Sequence, residues 1–507
     1  MIDQILRQPL FFVCGALFAL AACQTTPETR PEIAPEITIV NDGHVTLVER
    51  EDGLFEVTYT FTEPQDVLVF GQAPTSYRAG EWTALSSGVS VEQVGQMDVL
   101  RFDTPSDEAT FRFTPHSENL PKAYTAFIPF STGDWGILTG QFRLKPAESL
   151  EALEAHPATV NEWQTEELDL SLEIQSQRSI WVGGQQYQDR VRLEPKGDDT
   201  YAFLGELAPL SGDSFIGFVD PALPEWIGAS FDQTLMDIFS YLSAGWGFEL
   251  PQKSTLFFSF HGLESEGLNM TGGALDGGVL ALEIGGNALE TSSPEIFDYL
   301  QWFFAHEAVH LYQKAGGVNP DDSEHAWIHE GSANTMAYAL TAESAADPNT
   351  FLLGVYSRAF QECVTYLETD QLTAAALNGA FNAYYACGDF MALMTDAALP
   401  EHSLYDFWNT LKDHAEAEND GKITSVEYFA TLESLGADPA RIADIRKLAF
   451  EPIHDPSTEL TEQLQAAGLA VERSEDGKIV GFRFRAEHDQ AAIAPFAVVS
   501  EETGASR

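Results

Sequence analysis

A pentapeptide near the middle of the chain, HEAVH at 306–310, has the residue types of a hydrolytic metal site. Residues four apart share one face of an α-helix, so His306 and His310 can bind a single metal ion together. Glu307 lies about 100° further round the helix, where a carboxylate can act as general base for a metal-bound water. The pattern therefore predicts one zinc ion and a reaction in which activated water attacks the substrate.

A zinc site of this kind needs a third protein ligand. The longer pattern H-E-x-x-H-x-x-G-x-x-H does not occur, because Gln313 and Gly316 stand where it has glycine and histidine. The next candidates along the chain are His325, His329 and Glu330. Helix phase and neighbouring residues favour Glu330, and the two histidines remain alternatives.

The residues after Glu330 suit close helix packing. Gly331 and Ala333 are small and leave room for their helix to pack against the HEAVH helix. Asn334 follows Glu330 by one turn and can hydrogen-bond a ligand histidine, with a surface amide as the alternative interpretation.

Two predicted helices must position these residues. Ser293 is typical of an N-cap and Pro294 of a first helical turn, and the following apolar segment continues to the glycines at 316–317. A second helix over about 327–341 carries Glu330. Buried strands are predicted over 254–261 and 277–284, and further helices up to about 469.

The region from 38 to 222 has a strand-like pattern instead. Segments such as GLFEVTYTFTE alternate apolar and polar residues between turn residues. Their spacing predicts an antiparallel β-sandwich without a catalytic cluster.

The N-terminus has the pattern of an export signal. Residues 9–22 form an apolar run too short to span a bilayer, and Leu20-Ala21-Ala22-Cys23 resembles a bacterial lipobox. We expect residues 1–22 to be a lipoprotein signal peptide, Cys23 to be lipidated and 23–37, rich in proline and glutamate, to be a flexible tether. This predicts a chain anchored in the bacterial cell envelope, at the outer membrane. An ordinary cleaved signal is the alternative.

Cys363 and Cys387 are the cysteines that remain beyond residue 23. An oxidising compartment makes a disulfide between them plausible, and two buried free thiols are the alternative.

The charge of the chain limits its partners. It has 26 Lys and Arg against 78 Asp and Glu, a net charge of −52. Such a surface repels nucleic acid and anionic lipid, so we expect no nucleic-acid partner and membrane contact through the lipid anchor alone. Adaptation to a salty habitat accounts for the excess of acids.

HEAVH followed by WIHEG resembles the gluzincin arrangement of the aminopeptidase N and glycyl aminopeptidase families, with nineteen residues between His310 and Glu330. The segment YYACG resembles the Y-x-K-G segment of these families, which implies that Tyr385 stabilises the oxyanion; Cys387 replaces the lysine. Residues 273–277, GALDG, resemble G-A-M-E-N, which lies along the substrate. The resemblance implies substrate contacts for Gly273, Ala274 and Asp276, although this aspartate is one methylene shorter than the family's glutamate.

The C-terminal region also resembles glycyl aminopeptidases, whose final helices precede a PDZ domain. The stretch from Ser425 to Leu469 resembles those helices. We expect a C-terminal helical part over 401–470 and a small appendage over 471–507, which is too short for a complete PDZ domain. Within this region Glu416–Glu427 resembles an EF-hand loop, a possible Ca²⁺ site. An acidic loop between two helices is the alternative, because Glu416 stands where aspartate is usual.

Together these features predict a multidomain chain: an N-terminal β-sandwich, then a mainly α, thermolysin-like gluzincin catalytic domain over 223–400, then C-terminal helices. The expected function is zinc-dependent hydrolysis of peptides or proteins with Glu307 as general base, and the resemblance implies aminopeptidase action on small N-terminal residues. Zinc endopeptidase action is one alternative. A non-catalytic surface lipoprotein that binds peptides or glycans is an alternative of another class.

Overall fold

The computed structural model describes residues 42–71, 77–115, 125–155, 165–195, 200–275, 278–320, 324–417, 421–473 and 479–484. The predicted signal peptide, Cys23 and the tether lie outside these residues. So do Asp276 and Gly277 of the predicted substrate segment and most of the predicted appendage.

The N-terminal part is rich in β-structure, as predicted. Its strands and two short helices are β1 (Gly43–Glu49), β2 (Phe55–Phe70), α1 (Arg78–Glu81), β3 (Thr83–Ala84), β4 (Val89–Val94), β5 (Met97–Phe113), β6 (Phe127–Pro129), β7 (Trp135–Leu138), β8 (Leu144–Pro146), α2 (Leu150–Ala155), β9 (Leu170–Gln175), β10 (Ser179–Val182), β11 (Gln185–Tyr187), β12 (Arg190–Leu193) and β13 (Tyr201–Gly205).

These strands form two sheets over one apolar core. The first has the order β12-β9-β1-β2-β5-β3, with β4 on β5 and β8 on β2, and the second has the order β11-β10-β13-β7-β6. Alternate residues such as Phe55, Val57 and Tyr59 of β2 are buried, as the period of a half-buried strand requires. Side chains of both sheets, for example Phe111 and Phe127, share one core. The pairing is not wholly antiparallel, because β1 and β9 run parallel.

A third sheet lies between the N-terminal part and the helices. Its strands are β14 (Leu210–Ser211), β15 (Phe215–Val219), β16 (Ser254–Phe260), β17 (Asn269–Leu275) and β18 (Val279–Gly285), in the order β14-β15-β16-β18-β17. Strands β15, β16 and β18 are parallel and β17 is an antiparallel edge. Strand β15 precedes the predicted boundary at 223, yet it pairs with β16.

Both faces of this third sheet are buried, which explains its nearly continuous apolar strands. Leu256 and Phe258 of β16 pack into the helical core, whereas Phe257 between them packs towards the N-terminal part. There it joins Tyr201 and Phe203 of β13. The sheet is therefore a shared layer between the two parts of the chain.

The C-terminal part is mainly helical, as predicted. Its remaining elements are α3 (Glu225–Trp246), α4 (Pro294–Lys314), β19 (Asn319–Pro320), α5 (Trp327–Ser344), α6 (Pro348–Leu367), α7 (Asn382–Ala398), α8 (Leu404–Ala417), β20 (Lys422–Ile423), α9 (Ser425–Ser434), α10 (Pro439–Phe450), α11 (Pro456–Ala466), β21 (Leu469–Arg473) and β22 (Ile479–Phe484). Short 3-10 turns lie at Thr139–Phe142, Asn287–Glu290 and Leu372–Ala374. Within the ranges that the structure describes, no helix has the length and apolarity needed to cross a bilayer.

Helices α6 and α7 are covalently joined. Cys363 of α6 and Cys387 of α7 form a disulfide with their Cα atoms 4.9 Å apart, and both are fully buried. This link fixes α7 beside α6 in the centre of the helical core.

Burial of Asp396 makes the stability of the helical part depend on pH. The carboxylate accepts the Leu404 N–H at 3.1 Å, and burial raises the pKa of Asp396 to about 7, a shift that this hydrogen bond only partly opposes. Because the folded pKa lies above the unfolded value of about 3.9, the stability contributed by Asp396 is complete below about pH 4 and is lost as the pH rises towards 7.

We therefore expect Asp396→Asn, which keeps the acceptor and cannot ionise, to become more stable relative to the native chain as the pH rises from 4 to 8. The relative gain should be on the order of 3 kcal/mol, because one pKa unit corresponds to about 1.4 kcal/mol. Urea unfolding of both proteins at pH 4, 6 and 8 measures the difference in their free energies of unfolding. A difference between them that stays constant with pH would contradict the expectation.

Candidate metal centre

Helix α4 carries the HEAVH segment and forms where its sequence places it. The Ser293 hydroxyl caps the helix by accepting the Ile296 N–H at 3.2 Å, and Pro294 occupies the first turn. The helix ends before Gly316 and Gly317, which have φ of 94° and 84°, values that favour glycine. The histidines therefore lie within a well-delimited, largely buried helix.

Three side chains converge in the part of the chain that the structure describes. The Nε2 atoms of His306 and His310 are each 3.2 Å from Oε2 of Glu330, and 3.1 Å from one another. All three residues are buried, and they alone among the described residues form a group able to hold a metal ion. Two imidazole nitrogens and one carboxylate oxygen are the ligands of a catalytic zinc ion with an open position, so the residues present fit zinc.

The charges of the three residues complement one another. Burial alone would raise the pKa of Glu330, but the charge of His310 and hydrogen bonds from neighbouring histidines hold that pKa well below its usual range. Burial alone would lower the pKa of His306, but Glu330 and Glu307 outweigh it and raise that pKa. The carboxylate of Glu330 and the two imidazoles therefore stabilise one another in this buried position.

Gln313 orients one ligand histidine, a role that the sequence did not reveal. Its Nε2 donates to the backbone carbonyl of His329 at 3.1 Å, which turns its Oε1 towards Nδ1 of His310 at 2.7 Å. Nδ1 must then carry the proton, and Nε2 of His310 is left with its lone pair facing the metal position. The only signal in the sequence is the spacing of three residues on one helix, which places Gln313 on the face of His310.

Asn334 and Asp389 lie behind the other ligand histidine. Asn334 is buried beside His306 and contributes to the raised pKa of that histidine. Asp389 of α7 is buried on the far side of Asn334; burial raises its pKa well above the usual range, and Asn334 partly opposes this. Burial thus favours the protonated form of Asp389, a residue that sequence reasoning did not identify.

Glu307 and Tyr385 are both half-buried at the edge of the cluster. The Tyr385 ring stacks with the His306 ring at a centroid distance of 5.7 Å. Glu307 follows His306 on α4, and its charge acts on the imidazole. The structure therefore brings the predicted base and the predicted oxyanion donor to the same ligand.

A crossing of two glycines sets the positions of Glu330 and Tyr385. A Cβ built on Gly331 of α5 would lie 2.0 Å from the carbonyl carbon of Gly388 of α7, and one on Gly388 would lie 2.5 Å from the carbonyl oxygen of Trp327. Helix α5 packs against the HEAVH helix α4 as predicted, but Gly331 itself faces α7. The backbones meet because neither residue has a side chain.

The two alternative ligands have other surroundings. His325 is half-buried with Nε2 3.6 Å from Oε1 of Glu324, outside the cluster. His329 is buried with Nε2 3.6 Å from Oε1 of Glu330, the carboxylate oxygen that does not face the other histidines. His329 therefore contacts the ligand carboxylate from outside.

Of the predicted substrate segment, Gly273 and Ala274 lie on the edge strand β17, paired with Ala281 and Leu280 of β18. Strand β17 is the last strand of the third sheet and lies alongside α4, the helix that carries the ligands. Asp276 lies outside the described residues.

The predicted calcium loop receives no support. The carboxylate of Glu427 accepts the N–H of Thr424 at 2.9 Å, so it caps the start of α9. Two other expected ligands, Glu418 and Asp420, lie outside the described residues.

Comparison with known proteins shows the fold of the chain. No family profile and no curated sequence matches it. Solved structures do match: an aminopeptidase N family protein from Idiomarina loihiensis (14% identity, covering 86% of this chain and 81% of that one, TM-score 0.60), yeast LTA4 hydrolase (12% identity, 82% and 68%, TM-score 0.44) and an M1 zinc metallopeptidase from Deinococcus radiodurans (12% identity, 82% and 94%, TM-score 0.42). The first of these shows that the chain shares the fold of that aminopeptidase N family protein, in agreement with the resemblance of its sequence motifs.

The orienting role of Gln313 can be measured. Gln313→Leu removes the acceptor for His310 Nδ1, and we expect zinc affinity to fall about 10- to 100-fold, as for other partners of metal-binding histidines. Competition with a chromogenic chelator gives the affinity.

Gln301→Leu is the matched control. Gln301 is buried on the same helix and donates to the Ser344 hydroxyl at 2.6 Å, away from the ligands. Equal losses of zinc affinity in the two variants would show that Gln313 acts only through general stability.

Proposed function

We propose that the chain is a zinc-dependent peptidase. The observation that carries this proposal is the convergence of His306, His310 and Glu330 beside Glu307 and Tyr385. A zinc ion held by the three ligands supplies a Lewis acid that activates water and polarises a peptide carbonyl. The gluzincin aminopeptidase-like fold agrees with this chemistry.

The residues of the chain divide the remaining work. Glu307 accepts the proton of the attacking water and passes it to the leaving amine nitrogen. Tyr385 donates its hydroxyl hydrogen to the carbonyl oxygen as negative charge develops there. Gln313 keeps His310 in the tautomer that can bind the metal.

Aminopeptidase action is the preferred form of this activity. Its support is the resemblance of residues 273–277 to a segment that holds a free α-amine, together with the fold shared with an aminopeptidase N family protein. The shorter side chain of Asp276 favours endopeptidase action as the second candidate. A purely binding role is the least supported, because such a role does not require Glu307 and Tyr385 beside an intact ligand set.

We further propose that the helical region from 223 to 400, together with strands β14 and β15 of its sheet, is the thermolysin-like catalytic domain, that the strands before them form a β-sandwich and that the chain is lipid-anchored at Cys23 in the bacterial envelope. The apolar run and lipobox support this location, and the disulfide is consistent with an oxidising compartment.

The two catalytic roles predict distinct kinetic losses. Glu307→Gln should reduce peptide turnover at least 100-fold while one equivalent of zinc remains bound, because the proton acceptor is lost. Tyr385→Phe should lower kcat about 100- to 1,000-fold with little change in KM, because its hydrogen bond strengthens in the transition state.

The neighbouring tyrosine provides the control. The Tyr384 hydroxyl accepts the Ala376 N–H at 3.2 Å and donates to the Thr373 carbonyl at 3.3 Å. Tyr384→Phe should therefore reduce thermal stability and leave kcat nearly unchanged. Full turnover by zinc-loaded Glu307→Gln would refute the peptidase proposal.

Free-amine and N-acetylated versions of the same peptides separate the two candidate activities. An aminopeptidase that holds the α-amine should cleave the free peptides at least 100-fold faster, with both reactions abolished by a chelator. Cleavage of blocked peptides alone would establish the endopeptidase instead.

A further inference from the structure

A cavity of about 580 Å³ lies one helical turn from the metal ligands. Its walls come from the start of α4, the end of α5 and the first half of α6, with Leu268 at the end near β17. This volume is within the range of small-ligand sites and exceeds what a small side chain such as alanine would fill.

One residue joins this cavity to the metal centre. Trp302 lines the cavity, and its ring lies 5.7 Å from the ring of the ligand His306. The Trp302 ring also contacts the rings of Tyr338 and Tyr299, with centroid distances of 6.0 and 5.1 Å, and both tyrosines line the cavity. The indole of Trp302 therefore borders both the cavity and a ligand of the metal position.

The lining is mainly aromatic and aliphatic. Its members include Ile296, Tyr299, Trp302, Tyr338, Phe351 and Val355. Two of its acids are engaged in helix starts: Glu295 accepts the Ser293 hydroxyl at 2.7 Å, and Asp347 accepts the N–H and hydroxyl of Thr350 at 3.1 and 2.7 Å. Asp298 and Arg358 are the other charged members of the lining, and the rest of the surface is suited to an apolar group.

We propose that this cavity is a substrate pocket that binds a bulky aromatic or branched aliphatic residue close to the cleaved bond. The inference rests on the proposed peptidase function and names its substrate class. It replaces the preference for small residues that the sequence resemblance implies.

Gly354 offers a way to fill the pocket without disturbing the metal centre. It lines the cavity from the middle of α6, and a Cβ built there meets no atom within 4 Å. Its φ is not in the left-handed region, so the backbone accepts a larger residue. Gly354→Trp should therefore extend an indole into the cavity.

The test compares peptides that carry phenylalanine, tryptophan or leucine beside the cleaved bond with the same peptides carrying alanine. The native enzyme should show kcat/KM at least 10-fold higher for the bulky set, in line with the discrimination that apolar pockets provide. In Gly354→Trp this ratio should fall at least 10-fold. Gly228→Trp, at another helical glycine with open space around its Cβ, should keep the native ratio.

A binding measurement separates failure of this inference from failure of the proposed function. Zinc-loaded Glu307→Gln should bind the bulky peptides at least 10-fold more tightly than the alanine peptides by calorimetry, and adding Gly354→Trp should remove the difference. Selective binding without turnover by the native chain would support the pocket and overturn the peptidase. Turnover with equal preference for alanine and bulky residues, or an unchanged ratio in zinc-loaded Gly354→Trp, would overturn the pocket.

Discussion

The close approach of α5 and α7 at Gly331 and Gly388 is the constraint on which the rest of the site depends. Glu330 immediately precedes one glycine, and Tyr385 lies one turn before the other. Any side chain at the crossing would separate the two backbones, and with them the ligand carboxylate and the tyrosine ring beside His306. The disulfide at Cys387, next to Gly388, holds α7 in this position from the side of α6. Backbone packing thus determines the catalytic geometry.

A buried charged cluster is costly unless its members satisfy one another. Here the imidazoles of His306 and His310 offset the carboxylate of Glu330, and Gln313 meets the hydrogen-bonding need of His310 while it joins α4 to α5 through His329. The same hydrogen bonds and ion pairs therefore satisfy the buried polar groups and orient the metal ligands. The Trp302 ring contacts the His306 ring and also lines the neighbouring cavity.

Sequence reasoning succeeded where the signals are local. The Ser293 cap and the terminal glycines of α4 were predicted from the sequence, and the HEAVH and WIHEG motifs indicated the fold that the comparison shows. Sequence reasoning failed where a structural feature depends on contacts between residues far apart in the sequence. Strand β2, Phe55–Phe70, continues beyond the segment GLFEVTYTFTE that the sequence indicated, because pairing with β5 holds it. The partner of Gly331 and the position of Asp389 depend on how α5 meets α7, which no local pattern specifies.

The stacked aromatic rings between the sheets make the two halves of the chain interdependent. Phe203 of β13 stacks on Phe218 of β15 at 3.7 Å, and Phe218 stacks on Phe257 of β16 at 5.8 Å. The strands that follow Phe257 in that sheet lead directly to α4. A helical half cut at residue 223 would expose the face of the third sheet that carries Phe257 and would lack strand β15. It could therefore not be transferred to another protein by itself. Exchange of the N-terminal half for another domain would therefore have to preserve these aromatic contacts between the sheets.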